Sequence, residues 1–454
     1  MIENTLLMAF YGDDFTGSTD AMEALAINHY RTVLFLEAPS IELLRQFEGL
    51  SCFGVAGTSR AKNPEAMEQE LRPVFEQLAK TPVPLVHYKT CSTFDSSPEI
   101  GNIGKAIEVS RDYFTGHAVI PLLVGAPALG RFTIFGQHFA RMRDTIYRLD
   151  RHPTMAKHPV TPMNEADLRL HLAKQTPERI GLMNILELDG NFDGVRERFA
   201  MKLAERPGLL LFDVLDHERL AKAARLVWEK IGEQTQFMVG SSGWEYAMAA
   251  YWKSAGLQPA APALQPELVH KAKQILVVSG SCSPVTQSQI QWALGLGFHG
   301  IKVPIDDTVD FDKLPAPLIE QVIRQLGEGD NVLLYTASGP DDDAINVARN
   351  RLATLGVQDF QTGEVIGRYL GALTREVLLA SGIRRVVVAG GDTSGFVTRE
   401  LGVYGLEMIS PVSPGAPLCK AYGREHSMDG LELALKGGQM GGEDYFHQVL
   451  TAGV

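Results

Sequence analysis

Leu6-Leu7-Met8-Ala9-Phe10-Tyr11-Gly12-Asp13-Asp14-Phe15-Thr16-Gly17-Ser18-Thr19-Asp20 decides the fold. Six apolar residues in a row, Leu6–Tyr11, suit a strand buried on both faces. Two carboxylates follow at once, and a helical period runs over Asp20–Asn28. A strand that stops at a polar loop and passes into a helix is the unit of an α/β fold.

The same unit recurs along the chain. Cys52–Ala56 runs into Gly-Thr-Ser-Arg, Ala118–Val124 into Gly-Ala-Pro, and Phe237–Val239 into Gly-Ser-Ser-Gly. Ile275–Val278 runs into Ser-Gly-Ser, Val332–Tyr335 into Thr-Ala-Ser-Gly, and Arg385–Ala389 into Gly-Gly-Asp-Thr-Ser-Gly. Helical periods fill the gaps at Glu65–Leu78, Leu220–Ile231 and Thr286–Leu296. The fold class expected is α/β, with two domains that each hold a mainly parallel sheet flanked by helices. Such sheets bind ligands outside the carboxyl ends of their strands.

Gly256–Glu267 carries three prolines and several alanines and reads as a semi-rigid linker. The expected division is residues 1–255, a linker at 256–267, and residues 268–454, with the active site in the cleft between the halves. Gly125–Pro162, rich in Arg, His and Pro, is long enough for a functional excursion.

The 454 residues carry a net charge of −12 with no acidic tail. That balance disfavours nonspecific nucleic-acid or anionic-membrane binding. No segment approaches the roughly 18 consecutive apolar residues of a membrane span. Cys52, Cys91, Cys282 and Cys419 are too dispersed for a disulfide framework or a zinc site and read as free thiols. The chain reads as cytoplasmic.

A carboxylate at a strand end, Asp13 or Asp14, can accept a proton from a hydroxyl or hold Mg²⁺. Asp14 or Thr16 can equally serve only to cap the helix that follows. As neighbours on an extended segment, the two carboxylates are expected to point oppositely. Arg60, in Thr58-Ser59-Arg60, could grip a carboxylate in a bidentate fork. Lys89-Thr90-Cys91-Ser92-Thr93-Phe94-Asp95-Ser96 and Gly101-Asn102-Ile103-Gly104-Lys105 make a Lys, hydroxyl and Gly surface suited to a polyhydroxy acid. The second stretch is no Walker A loop: Glu99 replaces the first Gly, and Ala106 replaces the Ser or Thr after Lys.

Three Gly-rich stretches crowd the second half: Ser279-Gly280-Ser281-Cys282-Ser283, Gly390-Gly391-Asp392-Thr393-Ser394-Gly395 and Gly437-Gly438-Gln439-Met440-Gly441. Small residues let backbone N–H groups approach phosphate oxygens. The first two end strands, and Asp392 could hold Mg²⁺. Each alone could be a tight turn; three in one domain favour a nucleotide site. Gly295-x-Gly297-x-x-Gly300 follows a helix and precedes a strand, the reverse of a dinucleotide fingerprint, and reads as a helix stop. Asp341-Asp342-Asp343 reads as the acidic start of a helix over Ala344–Leu352.

Together these motifs, with Gly130-Arg131 and His158-Pro159-x-x-Pro162-Met163, resemble the four-carbon acid sugar kinase family, formerly a domain of unknown function, and most of all its 3-oxo-tetronate kinases. The match runs nearly end to end. The resemblance implies an acid-sugar-binding N-terminal domain and an ATP-binding C-terminal domain. It implies Mg·ATP-dependent phosphorylation of a hydroxyl, the terminal one, of a four-carbon acid sugar such as 3-oxo-tetronate, erythronate or threonate. Asp13 or Asp14 would be the base. Thr16, Ser59, Arg60, Lys89, Ser92, Thr93, Asp95, Asn102, Gly104 and Arg131 would bind the sugar, with Arg60 and Lys89 on its carboxylate. Ser279, Gly280, Ser281, Ser283, Gly390, Gly391, Asp392, Thr393, Ser394, Gly395, Gly437, Gly438 and Gly441 would bind ATP. The expected partners are the acid sugar and ATP, neither nucleic acid nor membrane, with a homodimer left open. Two other classes stay open: a noncatalytic nucleotide-binding regulator, and a metal-dependent acid-sugar lyase or dehydrogenase.

Overall fold

A computed structural model describes residues 6–158, 160–257, 271–306, 313–358 and 361–452. Residues 1–5, Pro159 and most of the expected linker, 258–267, lie outside the described residues. The chain divides into two compact units, Met1–Ala263 and Leu264–Val454.

The first unit runs β1 (Met8–Gly12), α1 (Phe15–Ala26), β2 (Thr32–Phe35), α2 (Ile41–Leu44), β3 (Cys52–Ala56), α3 (Pro64–Lys80) and β4 (Leu85–Lys89). It continues α4 (Ile103–Ser110), β5 (Ile120–Leu123), β6 (Arg131–Ile134), β7 (Gln137–Met142), β8 (Thr145–Arg148), α5 (Leu168–Leu172) and β9 (Ile180–Met183). It ends α6 (Phe192–Ala204), β10 (Leu209–Phe212), α7 (His217–Lys230), β11 (Gln236–Gly240) and α8 (Gly243–Ser254). Its main sheet is parallel throughout, in the order β2-β3-β1-β4-β11-β5-β10-β9. Every residue of β1, β3, β4 and β11 is buried, as unbroken apolar runs demand. The chain leaves β1, comes back to β3 on one side of it, and later reaches β4 on the other. The carboxyl end of β1 is therefore a topological switch point. The Gly125–Pro162 excursion folds into a separate antiparallel sheet, β6-β7-β8.

The second unit runs β12 (Leu276–Ser279), α9 (Pro284–Gly295), β13 (His299–Lys302), α10 (Ala316–Glu328), β14 (Val332–Tyr335), α11 (Ala344–Thr354) and α12 (Thr362–Ser381). It continues β15 (Arg385–Ala389), α13 (Gly391–Glu400), β16 (Val403–Ser413), β17 (Ala416–Gly423), β18 (Glu432–Lys436) and α14 (Tyr445–Thr451). Strands β13-β14-β12-β15-β18 are parallel, and β17 and β16 continue the sheet antiparallel. Here β12, between β14 and β15, sits at the switch. Its core joins Val277, Leu333, Val387, Leu418 and Ala434 of the strands to Ile290 of α9 and Phe446 and Val449 of α14. Gly295 ends α9, and Gly297 turns the chain at a φ of 89° before β13, so that glycine triplet is a helix stop.

Candidate active site

Two loop clusters stand at the two switch points. In the first unit, β1, β3 and β4 end level, with Gly12 opposite both Ala56 and Lys89. Asp13 N–H donates to the Lys89 carbonyl (3.0 Å), and Arg60 N–H to the Asp13 carbonyl (2.9 Å), so the backbone ties the three loops together. The Arg60 guanidinium then forks Asp13, Nη2 to Oδ1 at 2.5 Å and Nε to Oδ2 at 3.1 Å. Its Nη1 reaches Asp14 Oδ2 at 2.7 Å. The two carboxylates converge on one cation instead of pointing oppositely, because the strand stops at Gly12 and the chain is already turning into α1.

Asp13 is 2% exposed. Burial pushes its carboxyl above the usual range, against the pull of Arg60 and Lys89. Asp14 is the N-cap of α1, its Oδ1 accepting the Gly17 N–H at 2.7 Å, yet its side chain stays 30% open. Lys89 is buried and paired with Asp20 Oδ2 at 3.2 Å. Burial works to lower its ammonium, but Asp20, Asp14 and Asp13 outweigh it and hold the group above its ordinary value. Gly17 makes the cluster sterically feasible. A Cβ there would sit 2.4 Å from Asp14 Oδ1, 2.6 Å from Lys89 Nζ and 3.3 Å from Arg60 Nη2.

The Cys91–Ser96 loop turns through Phe94, at a φ of 57°. A bulky residue held there marks an over-determined loop. Thr93 Oγ1 donates to Asp95 Oδ1 at 2.8 Å. The Ser92 carbonyl accepts from His138 Nε2 of β7 at 2.9 Å, which ties this loop to the antiparallel sheet. At the start of that sheet stands Arg131. Its Nη1 donates to the Leu129 and Arg141 carbonyls at 3.0 and 3.1 Å, while its buried Nε has no partner. Burial lowers its affinity for its proton, and Cys91, Asp95 and Asp20 oppose that.

Other expected sugar-binding residues are placed differently. Asn102 caps α4, with Oδ1 accepting the Lys105 N–H (2.7 Å) and Nδ2 donating to the Pro98 carbonyl (3.0 Å), so its amide is taken up structurally. Gly104 lets α4 approach the chain at Gln175, whose carbonyl lies 2.0 Å from where a Cβ would stand. Ser59 is fully buried, its hydroxyl 3.0 Å from the Tyr88 hydroxyl. Thr16 gives its carbonyl to Thr19. The Arg60 fork, expected for a substrate carboxylate, is spent mainly on Asp13 and Asp14. His152 and His158 serve as turn acceptors for Thr154 and Thr161 N–H groups.

In the second unit the three Gly-rich loops meet. Gly280 N–H donates to the Ala389 carbonyl (3.1 Å) and Gly390 N–H to the Lys436 carbonyl (2.9 Å). A Cβ on Gly280 would strike Thr393 Oγ1 at 2.4 Å, and one on Gly438 would lie 2.9 Å from Ser281 Oγ. Gly390, at a φ of 128°, is the N-cap of α13, so no side chain covers that helix start. Gly391, Asp392, Thr393, Ser394 and Gly395 form its first turns, with Asp392 exposed. Ser283 caps α9 and donates to the Gly438 carbonyl. Ser279 Oγ lies 3.4 Å from the Ser281 nitrogen. Gly437 follows β18, so the third loop also ends a strand, and Gly441 turns at a φ of 82°. The Asp341–Asp343 run does open α11: Asp342 accepts the Ala344 and Ser338 N–H groups and pairs with Lys302 at 2.8 Å.

Two residues of this cluster escaped the sequence reading. Gln289, one turn into α9, donates from Nε2 to the Met440 and Gly442 carbonyls at 2.9 Å each and pins the third loop. Lys436 is 1% exposed, its Nζ 3.0 Å from Thr286 Oγ1. The available signal was a lysine standing directly before the Gly437-Gly438 loop. Among the described residues no group of three or more His, Cys, Asp or Glu could hold a metal, and no helix is long and apolar enough to cross a membrane.

A polar, carboxylate-bearing site on one α/β unit and an anion-ready loop cluster on the other define a two-domain α/β enzyme of small molecules. Residues 8–248 match the family described as a sugar-binding N-terminal domain, and residues 276–446 the nucleotide-binding C-terminal domain. A 3-oxo-isoapionate kinase of Paraburkholderia graminis is 46% identical over 98% of this chain and 94% of its own length. A 3-oxo-tetronate kinase of Pseudomonas savastanoi pv. phaseolicola is 28% identical over 98% of this chain and 96% of its own. A solved Haemophilus influenzae structure shares the fold, with a TM-score of 0.73 at 23% identity over 97% of this chain and 98% of that one. The chain belongs to the four-carbon acid sugar kinase family and is a carbohydrate kinase.

Proposed function

We propose that this kinase uses Mg·ATP to phosphorylate a hydroxyl of a 3-oxo sugar acid. The observation that carries the donor side is the meeting of three small-residue loops at the glycine-capped start of α13. Uncovered N–H groups there, with the helix dipole, suit phosphate oxygens. The acceptor side is supported by the names of the two kinases above, both of which act on 3-oxo acids.

Arg131 takes the substrate carboxylate, since its Nε is buried without a partner whereas Arg60 and Lys89 already hold carboxylates of their own chain. Thr93, Asp95 and Ser92 read the hydroxyl groups. Asp14 is the base: it is the more open carboxylate and is held in place by Gly17 N–H and Arg60. Asp13, with both oxygens on Arg60, positions that cation. Phosphoryl transfer depends mainly on alignment and charge neutralisation, so the site has little covalent work to do. Mg²⁺ supplies charge neutralisation on the phosphates. The one exposed carboxylate of the loop cluster, Asp392, fits its habit of binding through one or two carboxylates plus phosphates.

The test is ADP release with Mg·ATP across 3-oxo-isoapionate, 3-oxo-tetronate, erythronate and threonate. A strong response to one of the 3-oxo acids is expected. Turnover of erythronate or threonate with none of either 3-oxo acid would sink the substrate assignment. Turnover that does not depend on ATP would sink the donor assignment.

A further inference from the structure

We infer that Lys436, which closes β18 beneath the three Gly-rich loops, is the cation that receives the phosphate oxygens of the nucleotide. This rests on the nucleotide reading of the second unit and adds to it a residue with a defined role.

The side chain is 1% exposed, and its ammonium nitrogen makes one hydrogen bond, to Thr286 Oγ1 at 3.0 Å. Thr286 lies in the first turn of α9 and belongs to the loop cluster: its hydroxyl is 3.0 Å from Ser281 Oγ and 3.1 Å from the Gly438 carbonyl. Through Thr286 Oγ1, Nζ is thus tied to the network that joins Ser281, Ser283 and Gly438. Charged and titratable groups occur on the surrounding elements: Cys282 before α9, Asp392 on α13, Asp444 before α14, and Arg385 on β15 paired with Glu432 on β18 at 2.6 Å. None of them forms an ion pair with Nζ among the described residues, and burial is the sole cause acting on its proton, lowering it to about 7.

A buried ammonium without a counter-ion is costly, and a methionine would fill the same space without that cost. The cost is offset if an anion arrives. The adjoining start of α13, capped by a glycine, is already open to one. Thr286 Oγ1 then acts as a place-holder for a phosphate oxygen. An arriving phosphate favours the charged lysine, so nucleotide binding takes up a proton at a pH where the empty protein holds Lys436 neutral.

The experiment is calorimetric titration of ADP and of adenosine into the wild-type protein and Lys436→Met. Wild type is expected to bind both. The variant is expected to lose on the order of 10²-fold in ADP affinity while adenosine affinity stays unchanged. Equal ADP affinity in variant and wild type overturns the role of Lys436 and leaves the nucleotide site standing. Failure of wild type to bind either ligand overturns the nucleotide reading itself, and this inference with it. Should the variant not fold, wild type alone decides. ADP titrations at about pH 8, where the nucleotide's phosphates are already ionised, are run in two buffers of different ionisation heat. Uptake of a fraction approaching one proton supports the inference, and no uptake overturns it.

Discussion

Arg60 holds Asp13 by two parallel hydrogen bonds, Nη2–Oδ1 at 2.5 Å and Nε–Oδ2 at 3.1 Å, across 47 residues of chain. The same guanidinium reaches Asp14 at 2.7 Å. Adjacent carboxylates at a strand end would repel; here one shared cation fixes both and leaves the second open to solvent. Arg60→Met strands Asp13 in a dry site. The expected loss is about 3–5 kcal/mol of unfolding free energy, read from urea denaturation.

Two single variants are expected to separate Asp14 from Asp13. Asn is as good an N-cap as Asp, and the Arg60 contact it gives up is partly exposed, so Asp14→Asn should melt only slightly below wild type while kcat falls by roughly 10²–10⁴. Asp13→Asn should lower the melting temperature, because it breaks the fork. Near-normal kcat for Asp14→Asn would remove it as the base.

Gly17→Ala puts a methyl group 2.4 Å from Asp14 Oδ1 and 2.6 Å from Lys89 Nζ. The charged side chains must shift, at about 1–3 kcal/mol. Since a misplacement of about 1 Å can cost 10²-fold in rate, kcat/KM should fall about that far in protein that is still folded by circular dichroism. Full activity would show that the cluster is not the reacting site.

Arg131→Met removes the cation with the unpartnered Nε. KM for the sugar acid should rise by about 10²-fold, as loss of a charge-assisted contact predicts. ADP affinity should not change. A rise in ADP Kd with an unchanged sugar-acid KM would reverse the assignment.

His138 and His171 are buried, and burial lowers each to about 4. His138 Nε2 donates to the Ser92 carbonyl, and with burial keeping the ring neutral Nδ1 is left to accept from the Thr133 hydroxyl. The unfolded chain protonates at about 6.5 and so binds more protons than the native state between there and about 4. Stability must therefore fall as pH drops through that window, by up to about 1.4 kcal/mol per pH unit for each ring. Asp213, raised by burial to about 6, acts in the opposite sense below that pH. Urea midpoints at pH 7 and 5 should differ in wild type and differ less in His138→Gln. An unchanged pH slope in the variant would contradict the buried neutral ring.

Cys52–Ala56, Val332–Tyr335 and Arg385–Ala389 were legible to the residue, because an unbroken apolar run between polar loops has few other folds open to it. Glu432–Lys436 does not read as a strand from sequence. Leu, Ala, Glu and Lys favour helices, and pairing with β15 and β17 overrides that preference. The β16–β17 hairpin and the β6–β8 sheet were hidden for a related reason: their partly buried strands lack a long apolar run.

By itself the sequence determined the α/β rhythm, the polar loops at the strand ends and the glycines that let those loops come close, since these follow from burial and backbone freedom a few residues at a time. Only the tertiary structure decided which charge meets which. It spent Arg60 on Asp13 and Lys89 on Asp20, and it left Arg131 Nε unpartnered and Lys436 without a counter-ion. Those pairings join residues tens of positions apart through parallel strand registers, and no local pattern encodes a register.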